Sequence, residues 1–143
     1  MISNRKSRQQ HGFTLIELLI VMAILGMLAA IVGPTLIEKI GQSRKDAART
    51  QIAQIESTIE IYRLDMFKLP NNLEALVKNT SNSPKWKGPY MQKGYIPKDP
   101  WGNEFQYKKP GGEGRKYDIY SFAADGQEGG EEDNADVYNL PDK

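Results

Sequence analysis

No cysteine occurs among the 143 residues, and the only histidine is His11. A disulfide framework, a thiol nucleophile and thiolate metal sites are therefore excluded. An excess of either charge is also lacking, since 19 Lys and Arg balance 18 Asp and Glu for a formal net charge of +1. That argues against a strongly basic nucleic-acid binder, and no nucleic-acid partner is expected. No Gly-rich phosphate loop followed by Lys is present, so the chain is not expected to be an ATP-driven motor. At this length there is room for one domain and little more. Apolar residues make up 39% of the chain, yet 17 of them fall in the 20 positions from Phe13 to Val32. Beyond Val32 the chain is only about one-third apolar and can build a modest core.

The balanced total conceals a gradient. Residues 1–12 carry Arg5, Lys6 and Arg8 and no acid, whereas residues 101–143 carry 5 bases against 10 acids. Six of those acids lie between Asp125 and Asp136, with no base among them.

The run FTLIELLIVMAILGMLAAIV, from Phe13 to Val32, has the length of a membrane span, because 20 helical residues reach about 30 Å. The bases just before it predict a cytoplasmic N-terminus and an exported C-terminal part. A cleaved secretory signal is the plainer alternative, with Ala29, Ala30 and Gly33 as a faint cleavage site. Against it, the run exceeds the roughly 7–15 residues of such a signal's apolar core. It also contains Glu17.

An ionised carboxylate near the edge of the hydrocarbon is costly unless paired, and the run holds no base. Cleavage between Gly12 and Phe13 would create an α-ammonium four residues before Glu17. In a parallel bundle, Glu17 of one chain could meet the new N-terminus of its neighbour. A carboxyl group that stays protonated, or that reaches the headgroup region, would be tolerated as well. Pro34, at the end of the run, should kink the helix, permit local melting or simply end the span.

Gly12-Phe13-Thr14-Leu15-Ile16-Glu17, preceded by a short basic leader and followed by about twenty apolar residues and Pro34, resembles the export signal of type IV pilins and type II secretion pseudopilins. The resemblance implies removal of residues 1–12 by a prepilin peptidase and N-methylation of Phe13. It also implies a subunit-aligning role for Glu17. His11 then leaves with the leader.

Past Pro34, Ala48, Ile52, Ile55, Ile59, Tyr62 and Met66 recur at helical spacing as a single stripe. Charged residues such as Arg44, Arg49, Glu56 and Arg63 fall mainly off it. One helix from Phe13 to about Met66 is expected, with its stripe covering a face of a sheet formed later in the chain. Residues 67–103 are punctuated by Pro and Gly and read as loop, with a short helix near Asn72–Lys78 that Asn72 could cap. Asp99-Pro100-Trp101-Gly102-Asn103 is a turn signal opening a strand over Glu104–Lys108. A second strand over Tyr117–Phe122 would complete a hairpin across residues 104–122. The expected fold is α+β, with a long N-terminal helix laid on a small antiparallel β-sheet.

That design is pilin-like. The DPWGN turn, the hairpin and the segment Ser121-Phe122-Ala123-Ala124-Asp125-Gly126 resemble the heads of major pseudopilins of type II secretion more than those of pilins at large. Pilins commonly close their C-terminal region with a disulfide, which this chain cannot form.

Residues 125–136 hold six acids and three glycines, so the loop should be disordered unless a cation neutralises it. Oxygen ligands without His or Cys favour Ca²⁺. An EF-hand is rejected because Gln127 and Gly129 occupy ligand positions and a strand, not a helix, precedes the loop. The resemblance implies one Ca²⁺ in the loop spanning 122–140, held by Asp125, Asp136 and the carbonyls of Phe122 and Gln127; Asp133 is a further candidate ligand, and the sequence leaves open whether it belongs to the set. The chain departs from the family in reading Asp136-Val137-Tyr138-Asn139-Leu140 where a Gly-Asn-Trp segment is usual.

Together these readings describe a precursor with a leader at 1–12, an apolar helix at 13–33 and a periplasmic head at 34–143. The resemblance implies a structural subunit with no catalytic residue. It would leave the inner membrane to polymerise into a periplasmic pseudopilus that helps push folded proteins across the outer membrane. Implied partners are further copies of itself, minor pseudopilins, the inner-membrane assembly platform and the prepilin peptidase. A subunit of an adhesive or DNA-uptake pilus is the alternative.

Overall fold

The computed structural model describes residues 12–139; the expected leader up to His11 and the loop end at Leu140 lie outside them. The chain divides into two units between Lys39 and Ile40.

One helix, α1, runs from Leu15 to Met66 with Pro34 inside it. Pro34 has no N–H for the carbonyl one turn earlier, yet the helix continues through it. From Leu15 to Lys39 no helical residue is buried, and only Gly33 is even half-buried. The expected stripe behaves otherwise. Ala48, Ile52, Ile55 and Ile59 are fully buried, and Tyr62 and Met66 nearly so. The helix ends as Phe67 turns into the left-handed region (φ +56°) while its N–H donates to the Arg63 carbonyl at 2.9 Å.

Three short strands form an antiparallel sheet in the order β1 (Gln106–Lys108), β2 (Asp118–Ser121), β3 (Val137–Tyr138). Tyr107 pairs with Ile119, and Ser121 pairs with Val137. Phe105, Ile119 and Val137 join the helix stripe in one core, with Tyr107 and Tyr117 packed against it. Alternation sends Tyr120 to the other face, where its ring stacks on Tyr138 at 5.0 Å between centroids.

The strands are shorter than the expected 104–108 and 117–122. The third strand falls inside the stretch expected to be loop. Near Asn72 the expected helix is a single 3₁₀ turn, Leu73–Leu76, and Asn72 caps it by accepting from the Ala75 N–H at 3.1 Å. The rest of the 67–103 segment is anchored by aromatic residues. Trp86 Nε1–H donates to the Ala75 carbonyl (2.9 Å), and the Tyr90 hydroxyl donates to Asp65 (3.1 Å). Tyr62, Tyr90 and Trp86 meet edge to face.

Candidate functional site: the helix start and the acidic loop

At the start of α1, Gly12 and Phe13 are exposed, as a cleavage site requires. Glu17 does not stand alone there. The Thr14 N–H and the Thr14 hydroxyl each donate to Glu17 Oε2 at 2.9 Å, and the Glu17 N–H donates back to Thr14 Oγ1 at 3.3 Å. This is a reciprocal capping box, with Thr14 at the N-cap and the carboxylate three residues on. Its sequence signal, Thr-x-x-Glu, lies in plain view and supplies Glu17 with a polar partner inside a run that holds no base. Pro34 lies within α1, in the same unit.

The acidic loop is built by residues that can turn sharply. Gly129 and Gly130 take φ of +98° and +87°. A Cβ on Gly130 would collide with the Asn134 backbone, so the return of the chain at this point needs glycine. Two contacts tie the loop to α1 within the second unit. Lys45 Nζ donates to the Glu132 carbonyl, and Gly41 is buried where a Cβ would overlap the Asp133 carboxylate. At the far end, Asn139 Nδ2 donates to Glu56, and the Asn139 N–H donates to the Ile119 carbonyl at 3.3 Å.

The expected calcium ligands differ in their surroundings. Asp125 is exposed and accepts from the Gln127 N–H at 3.1 Å. Asp136 Oδ2 accepts from the Gly129 N–H at 3.0 Å and from the Tyr138 hydroxyl at 3.4 Å. Phe122 is half-buried with its ring against Tyr120, whereas Gln127 and Asp133 are exposed. Among the described residues no three of His, Cys, Asp and Glu converge as a metal-holding group. A site of two carboxylates completed by main-chain carbonyls would not require such a trio. The most telling atom is Asp136 Oδ1, which is buried with no hydrogen-bond partner. An unsatisfied carboxylate oxygen is expensive to bury, and a cation seated beside it would satisfy it. The donor set is all oxygen and half anionic, so it fits a hard divalent ion. Burial, reinforced by Asp136, also raises the Tyr138 phenol above its ordinary pKa.

Sequence reading missed a second cluster. Asp99, in the DPWGN turn, is 5% exposed. Its Oδ1 accepts from the N–H groups of Trp101 (3.0 Å) and Asn103 (2.7 Å), and its Oδ2 accepts from the Ser121 hydroxyl. The turn was legible, but its partner lies 22 residues away and no local pattern announces it.

The fold defines a class, a protein with one long N-terminal helix and a small antiparallel head. The family model described as prokaryotic N-terminal methylation motif matches residues 7–33. The model described as type II secretion system (T2SS), protein G, matches residues 35–140, and the chain belongs to that family. It is 44% identical over 139 residues to the type II secretion system core protein G of Pseudomonas aeruginosa, covering 92% of this chain and 96% of that one. To the core protein G of Vibrio cholerae it is 43% identical over 141 residues, covering 94% of each. The crystal structure of the major pseudopilin from the type 2 secretion system of enterohaemorrhagic Escherichia coli superposes with a TM-score of 0.61 at 28% identity. That match covers 74% of this chain and 94% of the other.

Proposed function

We propose that this chain is the major, repeating subunit of a type II secretion pseudopilus, held first in the inner membrane and then polymerised in the periplasm. The observation that carries the reading is the two-part character of α1. Its first stretch is apolar on all sides and wholly unburied, while a later stretch buries one stripe in the head. Lipid covers the first stretch before assembly, and neighbouring copies cover it afterwards.

In this reading residues 1–12 stay on the cytoplasmic side until a prepilin peptidase cuts after Gly12 and the Phe13 amine is methylated. The amine keeps its positive charge, so Glu17 of an adjoining copy can pair with it. The Thr14 capping box keeps the carboxylate satisfied until that exchange, because a carboxylate has room for more donors than the two that Thr14 supplies. Assembly would need the inner-membrane platform, and minor pseudopilins would join the filament. In the head, Asp125, Asp136 and the carbonyls of Phe122 and Gln127 would hold Ca²⁺, while the Asp133 carboxylate lies against Gly41. The ion's contribution there is to neutralise the six-acid loop and so stabilise the folded head by mass action. The family's secretory role makes the filament's task mechanical, to move folded exported proteins toward an outer-membrane channel.

Glu17→Ala tests the assembly step. Electron microscopy of cells overexpressing the wild-type chain should show filaments beginning at a methylated Phe13, read by mass spectrometry. The variant should stay a membrane-inserted monomer. Normal filaments from Glu17→Ala would overturn the pairing, and a mature N-terminus near Ala30 would overturn the processing.

A further inference from the structure

We propose that the buried Asp99 carboxylate is a positioning residue for calcium, which acts through Ser121 to aim the Phe122 carbonyl at the ion. The inference rests on the calcium reading above, which supplies the ion and the Phe122 ligand, and goes on to assign how that ligand is oriented.

The relay begins in the DPWGN turn. Asp99 Oδ1 is committed there, where the N–H groups of Trp101 and Asn103 donate to it. Oδ2 is left to accept the Ser121 hydroxyl proton. An ionised carboxylate only accepts, so it fixes which way that hydroxyl points. The Ser121 lone pairs are then free, and Oγ accepts from the Ala123 N–H at 3.0 Å. That N–H and the Phe122 carbonyl belong to one planar trans peptide, on which they point in opposite directions. Orienting the first therefore orients the second, and the Phe122 oxygen faces away from Ser121.

A second clamp holds the same place. Asn103, from the same turn, donates through Nδ2 to the Ala123 carbonyl at 2.9 Å. Ala123 itself is fully buried with φ of +53°, a left-handed conformation that a residue with a Cβ keeps only when its surroundings impose it. Ser121 is also fully buried. The DPWGN turn thus grips the entry to the acidic loop from both sides of residue 122 and supplies no ligand of its own. Asparagine at position 99 would break the relay even though it is nearly the same size. Its amide can donate to Ser121 Oγ, which reverses the hydroxyl and competes with the Ala123 N–H.

The test uses the full-length protein in detergent micelles, with CaCl₂ titrated by calorimetry. Thermal unfolding is followed in Ca²⁺ and in chelator through the fluorescence of Trp86 and Trp101. Asp99→Asn, Ser121→Ala and Asn103→Ala are compared with Asp136→Ala, a proposed ligand. Disturbing the groups that orient metal ligands characteristically weakens binding about 10–100-fold. The three positioning variants should show that rise in Kd and a smaller calcium-induced gain in Tm, and Asp136→Ala should lose the gain entirely. Ser121→Ala removes only a hydroxyl and keeps the comparison readable should Asp99→Asn fail to fold. If calcium raises the wild-type Tm and Asp136→Ala abolishes the effect, but Ser121→Ala and Asn103→Ala bind with wild-type Kd, the relay is wrong and the calcium site stands. A wild-type melting curve indifferent to chelator would overturn both. A variant that lowers Tm equally in Ca²⁺ and in chelator, with Kd unchanged, has a merely structural role and also contradicts the relay.

Discussion

Two stretches of one helix, residues 15–33 and 48–66, are both rich in apolar side chains and have opposite fates. In the second, apolar residues recur along one stripe, and every member from Ala48 to Met66 is at most 6% exposed. In the first they occupy all sides. Leu19, Ile24 and Leu28, for example, are each more than half exposed. A stripe can be satisfied by a single partner, and the chain supplies it in Phe105, Ile119 and Val137. An all-round apolar surface needs a surrounding partner, and among the described residues none from Leu15 to Lys39 is buried. The pattern of hydrophobicity therefore tells where the partner is, within the chain or outside it.

The sharpest way to break that contrast is to truncate one residue from each stretch. Ile59→Ala should destabilise the head by about 2–5 kcal/mol, since it opens a cavity at a fully buried position. Leu19→Ala should change head unfolding by less than about 0.5 kcal/mol. Both tryptophans, Trp86 and Trp101, lie in the head, so denaturant unfolding read by their fluorescence reports on it alone. Comparable losses from the two variants would show that the stretches are not energetically separate.

A smaller effect sharpens the picture of the head as a unit with its own electrostatics. Asp118 is buried beside Arg115, whose Nε–H donates to Oδ1 at 2.6 Å, while the Gly112 N–H donates to Oδ2 at 2.7 Å. The Arg115 hydrogen bond, against the opposing cost of burial and with help from the Gly112 amide, holds the Asp118 carboxyl below its ordinary pKa. The folded state therefore binds this proton less readily than the unfolded chain. The resulting stability is present above the unfolded value, about 4, and is lost as pH falls through the lower folded value. Asp118→Asn should cost about 1–3 kcal/mol at neutral pH, and its deficit should shrink as the solution is acidified. A deficit that stays constant with pH, in the same fluorescence assay, would remove Asp118 from the acid response.

Much of this architecture is legible in the residues. The helix stripe, the Asn72 cap, the hairpin and the export signal all have local, periodic or punctuated patterns. β3 was not legible, because a two-residue strand carries no periodicity and exists only where Val137 can pair with Ser121. The same holds for the Asp99–Ser121 relay, whose members are far apart in the chain. At Glu17 the residues announce the carboxylate's need for a partner, and the nearest one, Thr14, is three positions away rather than on another copy. In the proposed assembly, the capping box and pairing with a neighbour would be successive answers to a single cost. A charged group in an apolar run must be satisfied at every stage of its life.

The central claim, that copies of the chain cover the residue 13–33 surface after assembly, can be tested with one label. The chain has no cysteine, so Ile24→Cys carries a unique nitroxide. Electron paramagnetic resonance spectra of filaments should show dipolar broadening between labels on neighbouring copies. Spectra of the monomer in micelles, and of Glu17→Ala in membranes, should stay sharp. Filaments with sharp spectra would contradict the claim, because their apolar helices would then lie apart.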